Sequence, residues 1–259
     1  MSKQLRFAAI SVGLCSGLLF AGQSHAGLTG LSAGAGIWKA SPSGTFRPGQ
    51  GSDHIDIEDD LQLNSSGNLL LWLDWDHLLP AVPNLQVRYT RVSLDGSGTV
   101  NRSFNFRGLT IFGSEDVDTE FELDQLDLIA YYGLWLPLID IDLGLNFKVL
   151  DGQIQATRQT TGETERVSFT GVVPLLWARA ETNLPFTGSY MGAEIGAIAY
   201  SGNSMLDTTL RLVYRNSLTL GDVGVELGWK RQQIRLDDFD GTDVDVRLQG
   251  PYAAATLQF

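Results

Sequence analysis

Cysteine is almost absent. The one residue, Cys15, sits in an N-terminal apolar stretch, so the rest of the chain has no disulfide framework and no thiol chemistry. Leu14 is too bulky for the usual lipoprotein cleavage box, which argues against lipid attachment there. Histidine is scarce too: beyond residue 26 only His54 and His77 remain, and no His/Cys spacing suits zinc. No apolar run of about 18 residues follows residue 26, which excludes a membrane-spanning helix. Helical periodicity is nearly missing, and "IDIEDDLQL" (55–63) is the only place where a short helix fits. Basic residues are few, 18 against 30 acidic.

What is present begins with an export signal. Lys3 and Arg6 precede an apolar core from Phe7 to Ala21, and "SHA" ends at Ala26 as a small-x-small cleavage site. Residues 1–26 are therefore expected to be a cleaved secretory signal peptide, and 27–259 one large β domain. Losing Lys3 and Arg6 leaves 16 basic against 30 acidic residues, a balance of −14. Such a chain repels nucleic acid, and repels anionic headgroups unless cations intervene.

Nearly everything else alternates with period two. In "LIDIDLGLNFKVLDG" (138–152), Ile139, Ile141, Leu143, Leu145, Phe147 and Val149 fall on one face of a strand and Asp140, Asp142, Asn146 and Lys148 on the other. Ten such stretches form a meander: 28–40, 68–77, 84–92, 123–135, 138–152, 165–181, 189–201, 206–216, 222–232 and 242–259. Two are out of phase. Arg179 shares parity with Trp177 and Leu175, which leaves the faces of the sixth unassigned. In the tenth, Val244, Val246 and Leu248 are even but Leu257 and Phe259 are odd, so a bulge at Gly250-Pro251 is expected to swap the faces.

Long polar connections (41–67 and the region around 95–120) alternate with short ones (78–83, 136–138, 184–188, 217–221). That asymmetry suits an outer-membrane barrel with its short turns in the periplasm. The expected fold is all-β: a transmembrane antiparallel up-and-down β-barrel of about ten strands. Eight and twelve are the alternatives, since 95–120 has room for an extra hairpin. The rival is a soluble sandwich with its apolar face inward. Against it stand the mixed charges of the polar face, suited to fill a small lumen: Asp74, Asp76, Arg88, Asp127, Asp140, Asp142, Lys148, Glu194, Asp207, Arg211, Arg215, Glu226 and Lys230. Rings near strand ends read as interfacial girdles: Trp75, Trp135, Phe186, Tyr190, Trp229 and Phe259. Gly30, Gly34 and Gly36 are expected on the lumen side, where neighbours need room.

A resemblance adds to this reading. "IDIEDDLQL", "DWDHLLPAVPN", "DLIAYYGLW" and "IDIDLGLNFKVLDG", in this order after a glycine-alternating first strand, resemble a proteobacterial outer-membrane β-barrel family labelled outer-membrane protein with Gly-Gly. The chain departs at "DHLLP", where the family pattern has acid-His-Pro and a second Pro. The resemblance implies outer-membrane location and fold. It implies no activity and no catalytic residues.

Chemistry is thin. "SDHID" places Asp53, His54 and Asp56 in the first outer loop, where an Asp–His pair suits water activation. A second acidic pair would come from Asp116 and Asp118 or from Asp238 and Asp240. His77 falls at a periplasmic turn, the wrong end for surface substrates. "DDFDGTDVD" (237–245) offers Asp238, Asp240 and Asp243 to a divalent cation, but "DG" is also a hairpin turn. The leading expectation is a barrel with no evident catalytic site. It offers either a narrow or gated path for small solutes or a surface-loop interaction. A surface-facing hydrolase using loop carboxylates and His54, and a soluble periplasmic β-protein, are the alternatives. Expected partners are outer-membrane lipid, lipopolysaccharide and the barrel-assembly machinery, with no nucleic acid.

Overall fold

The computed structural model describes residues 29–47, 53–61, 63–77, 79, 81–100, 103–106, 109–113, 115–219, 221–239 and 242–259. The expected signal peptide, 1–26, lies outside the described residues, as do Asp240 and the side chains of Trp135 and Asp238. In chain order the strands are β1 (Thr29–Arg47), β2 (Ile55–Asp56), β3 (Ser66–His77), β4 (Asn84–Thr99), β5 (Phe104–Phe106), β6 (Leu109–Ile111) and β7 (Asp116–Trp135). Then come β8 (Asp140–Arg158), β9 (Thr164–Leu184), β10 (Ser189–Tyr200), β11 (Asn203–Leu218), β12 (Gly221–Phe239) and β13 (Thr242–Gln258).

Ten of these make the barrel, in the order β1-β3-β4-β7-β8-β9-β10-β11-β12-β13, every neighbour antiparallel. The ring closes where β13 pairs with β1, Ala35 opposite Ala255 and Phe46 opposite Val244. Beyond the last strand, Phe259 N–H donates to Leu31 C=O at 2.8 Å. Closure leaves no sheet edge, as a hydrocarbon surround requires. The extra hairpin between 95 and 120 exists as β5–β6, a separate two-stranded sheet outside the ring.

The strands outrun the membrane. β8 has 19 residues; at about 3.3 Å each and a tilt near 40°, it rises about 50 Å, roughly twice a 25 Å apolar band. The side chains mark where the band stops. On β7, Leu126, Leu128, Tyr132 and Leu134 point outward and are exposed, while Gln125, Asp127 and Tyr131 are buried inside. Nearer the loops the same strand inverts: Asp116, Asp118, Glu120 and Glu122 are exposed, and Val117, Thr119 and Leu123 are buried. The outward switch recurs from Tyr89 to Arg91 on β4, Phe147 to Asp151 on β8, Val172 to Thr170 on β9 and Trp229 to Arg231 on β12. The barrel thus has a lower storey with an apolar outside and a charged inside, and an upper crown built like a soluble protein. Water cannot be the solvent of a continuous belt of exposed leucines, so the lower storey faces hydrocarbon.

The crown encloses an apolar core. Trp38, Leu70, Val92, Leu94, Leu123, Leu150, Leu175 and Leu248 close it from the wall, and Ile55, Ile57, Leu61 and Leu63 of the first outer loop fold in among them. Among its described residues that loop forms no helix. Ile55–Asp56 forms a bridge to Thr45 and Phe46, after which the chain turns. Asp56 Oδ1 accepts from Glu58 N and Asp59 N at 2.9 Å, and Asp60 Oδ2 accepts from Asp56 N at 2.8 Å. Side chains that satisfy the turn's donors this way compete with a helix.

The expected face swap at Gly250-Pro251 does not occur. β12 and β13 stay in register through that point and shift only between Leu236 and Phe239. Even positions of β13 face inward throughout, Leu248 in the crown core and Tyr252 in the lumen. The phase puzzle was a change of surroundings along one straight strand. β9 resolves similarly: Leu175, Trp177 and Arg179 all point inward, and Leu176 and Val172 outward.

Candidate functional site

The lumen of the lower storey is filled by ion pairs stacked in tiers. Lowest, Arg179 Nε donates to Asp142 Oδ2 at 2.7 Å and its Nη1 lies 3.3 Å from Asp74 Oδ2. The Tyr131 hydroxyl bridges Asp74 and Asp76 at 3.0 and 2.6 Å, and Gln86 donates to Asp74 at 2.5 Å. The Arg179 guanidinium also lies over the Tyr131 and Trp177 rings, 4.9 and 5.3 Å from their centroids. Beside it, Arg211 donates twice to Glu181 Oε1, at 3.0 and 2.6 Å. Arg215 donates to Gln258 and covers the Tyr190 ring at 4.1 Å.

One tier up, Arg88 of β4 reaches across the lumen to Glu194 of β10 in a two-pronged pair, both contacts 2.8 Å. Tyr252 donates to Glu226 at 2.5 Å. Above these, Lys148 Nζ lies 2.6 Å from Asp127 and 3.0 Å from Asp207, with Asn146 donating to Asp127 at 2.6 Å. Lys230 is buried there with its ammonium 5.8 Å from the Trp38 ring centroid. Gln125 and Gln232 exchange hydrogen bonds at 2.6 and 3.1 Å beneath the crown core. Trp72, Arg88, Glu194, Arg211, Lys230 and Tyr252 bound a small cavity of about 30 Å³, room for a water or two.

Of the lumen residues read from sequence, Asp140 stands apart, exposed at the lower rim. Alternation put Gln86 and Tyr131 on the polar faces of their strands, with Arg88 and Asp127, and both are inside; it missed Glu181, Trp177, Gln125, Gln232 and Tyr252. Glu181 shares Arg179's parity, so the stretch with unassigned faces concealed it. The others carry no net charge and gave no signal by type. Gly34 faces the lumen under Trp72: a Cβ there would lie 2.1 Å from the indole.

The aromatic residues divide. Trp75, Phe186, Trp229 and Phe259 are exposed. Tyr190 shares its face with Glu194 and lies under Arg215, so its ring belongs to the lumen and not to an outward girdle. His77 pins its turn, with Nε2 3.1 Å from Pro83 O and Nδ1 accepting from Leu79 N at 3.2 Å. His54 Nε2 is 3.8 Å from Asp243 Oδ2, and that carboxylate also holds Arg47 at 2.6 Å. Asp116 accepts from Thr99 and Asp118 from Gln159, on the outer face of β7, three strands round from β1. The structure does not bring them to His54. Of the suggested cation ligands, only the Asp243 carboxylate is described, and it pairs with Arg47.

No known family's sequence profile matches the chain, and no curated protein matches it. Solved structures do. The outer membrane protease OmpT from Escherichia coli superposes with a TM-score of 0.53 at 10% identity, covering 89% of this chain and 97% of that one. The fold is that of an outer-membrane barrel. Ail, the attachment invasion locus protein of Yersinia pestis, aligns over 89% of this chain and 99% of its own at 8% identity, with a TM-score of 0.38. At such identities the likeness is one of fold alone.

Proposed function

We propose that the protein is an integral outer-membrane barrel, exported by residues 1–26, that is closed to solutes and displays its crown at the cell surface. Of the two roles left open by the sequence, the surface-interaction role is favoured over the path for solutes. One observation carries this reading: the apolar crown core lies across the axis of the barrel. Trp38, Val92 and Leu94 are 0% exposed, and the first outer loop packs into the same core. An ion crossing would leave the paired charges of the lower lumen for a dry layer, at a cost of several kcal/mol. Small barrels fill their interiors with side chains, whereas water-filled channels need about sixteen strands. The resemblance to the Gly-Gly family fits the same location without adding an activity. Lipid and lipopolysaccharide are then its surroundings, and the barrel-assembly machinery its partner in biogenesis.

Planar-bilayer recording tests this. The wild-type protein gives no conductance steps at any salt concentration. A Trp38→Ala, Leu94→Ala, Leu123→Ala variant gives steps, because it opens the dry layer. Steps from the wild type would reject the closed barrel.

A further inference from the structure

We infer that the wall of β12, β13 and β1 just above the apolar belt is a docking site for the phosphates of an anionic glycolipid of the surrounding outer leaflet, held by Lys39, Arg231 and Arg247. The inference rests on the membrane seating proposed above. The first observation is height. On β1 the last apolar outward residue is Ile37 and the next outward residue is Lys39. On β12 Trp229 is followed by Arg231, and on β13 Pro251 gives way to Gln249 and then Arg247. All three cations therefore start where hydrocarbon ends, at headgroup level.

The second observation is proximity. Arg231 is in register with Gln249, and Gln249 with Ser41. With strands about 4.8 Å apart and same-face residues about 6.7 Å apart, the three α-carbons fall within about 14 Å. Side chains of this length converge on one phosphorylated headgroup.

The third observation is that these cations are unpaired. Elsewhere on the crown's outer wall Arg47 pairs with Asp243, Arg235 with Asp245 and Arg91 with Glu122, while Arg166 of β9 hydrogen-bonds Gln155. Lys39, Arg231 and Arg247 make no ion pair among the described residues. Arg231 donates from Nη2 to Gln233 at 3.0 Å, and the Nε atoms of Arg231 and Arg247 are shielded from solvent with no partner. Guanidinium forks match phosphate oxygens. The opposite wall cannot serve, since Asp95 on β4 and Asp116, Asp118, Glu120, Glu122 and Asp124 on β7 repel phosphate. Among the described outward cations only Arg166 of β9 also lacks an ion pair, and it stands alone against Gln155, so the cluster that suits a headgroup lies on one flank.

The test uses the refolded full-length barrel in zwitterionic detergent, with bisphosphorylated lipid A as probe and native mass spectrometry as readout. Combined Lys39→Gln, Arg231→Gln and Arg247→Gln weakens binding by about 100-fold. Dephosphorylated lipid A binds the wild type no better than lipid A binds the variant, and Arg91→Gln on the acidic wall changes nothing. Undiminished binding by the triple variant overturns the site. Displacement of lipid A by excess inorganic phosphate overturns the lipid assignment. Insertion into zwitterionic liposomes, read as a mobility shift on unheated gels, is scored separately. Loss of insertion by the wild type sinks the membrane reading, while retained insertion with unaltered lipid A binding sinks only this site.

Discussion

Lys148 Nζ lies 2.6 Å from Asp127 Oδ1 and both side chains are 1% exposed. They are enclosed where the outer wall carries leucine and phenylalanine. Asp207 completes the triad at 3.0 Å. Pairing offsets the cost of burying charges this deep, and removing one partner strands the others.

Lys148→Met should therefore destabilise the barrel by about 3–5 kcal/mol. Neutralising the partners as well, with Asp127→Asn and Asp207→Asn, should restore much of the loss. Urea unfolding midpoints in detergent measure both. A single variant as stable as wild type would mean the triad is not sealed from water.

The lipid face predicts a height-dependent response. Leu176 is 72% exposed in the middle of the belt, and Leu176→Arg should cost about 2–4 kcal/mol in a bilayer. Thr170→Arg, on the same face of β9 but above the switch, should stay within about 0.5 kcal/mol of wild type. Equal penalties at the two sites, measured by refolding into vesicles, would show the inversion is misplaced.

Gly34 is small because Trp72 occupies its side-chain space. Gly34→Val should cost about 1–3 kcal/mol by overpacking, and Trp72→Ala in the same chain should relieve part of it. Additive losses in the double variant, by denaturant titration, would rule out this contact.

His77 serves the turn. His77→Ala removes its bonds to Pro83 and Leu79 and should lower stability by about 1–2 kcal/mol. Proteolysis of the 78–83 turn should rise with it. A larger effect on any surface activity than on stability would point to a role this end of the barrel does not support.

The lower storey was legible residue by residue. From β3 to β12, alternation separated Leu71 from Asp74 and Leu128 from Asp127 because lipid and lumen differ so sharply. Where alternation failed, it did so for two reasons. Trp177 is apolar yet inward, since an aromatic ring also fills a lumen beside Arg179, and Leu175 is inward because it closes the crown core. Val244, Val246 and Leu248 face inward in the crown, where the outside is water and the apolar face must turn in.

Face alternation and the need to close followed from the amino-acid order alone, because period two is a local property and hydrocarbon tolerates no free edge; the order also implied about ten strands, and the closed ring decided ten over eight or twelve. Partners across the lumen did not follow. Arg88 meets Glu194 over 106 residues of chain, and only ring closure with a set stagger places β4 opposite β10. Nor did the height at which outside and inside exchange roles. Neighbouring strands had to be aligned before Lys39, Arg231 and Arg247 lay on one flank, since register across a sheet is a property of the assembled barrel.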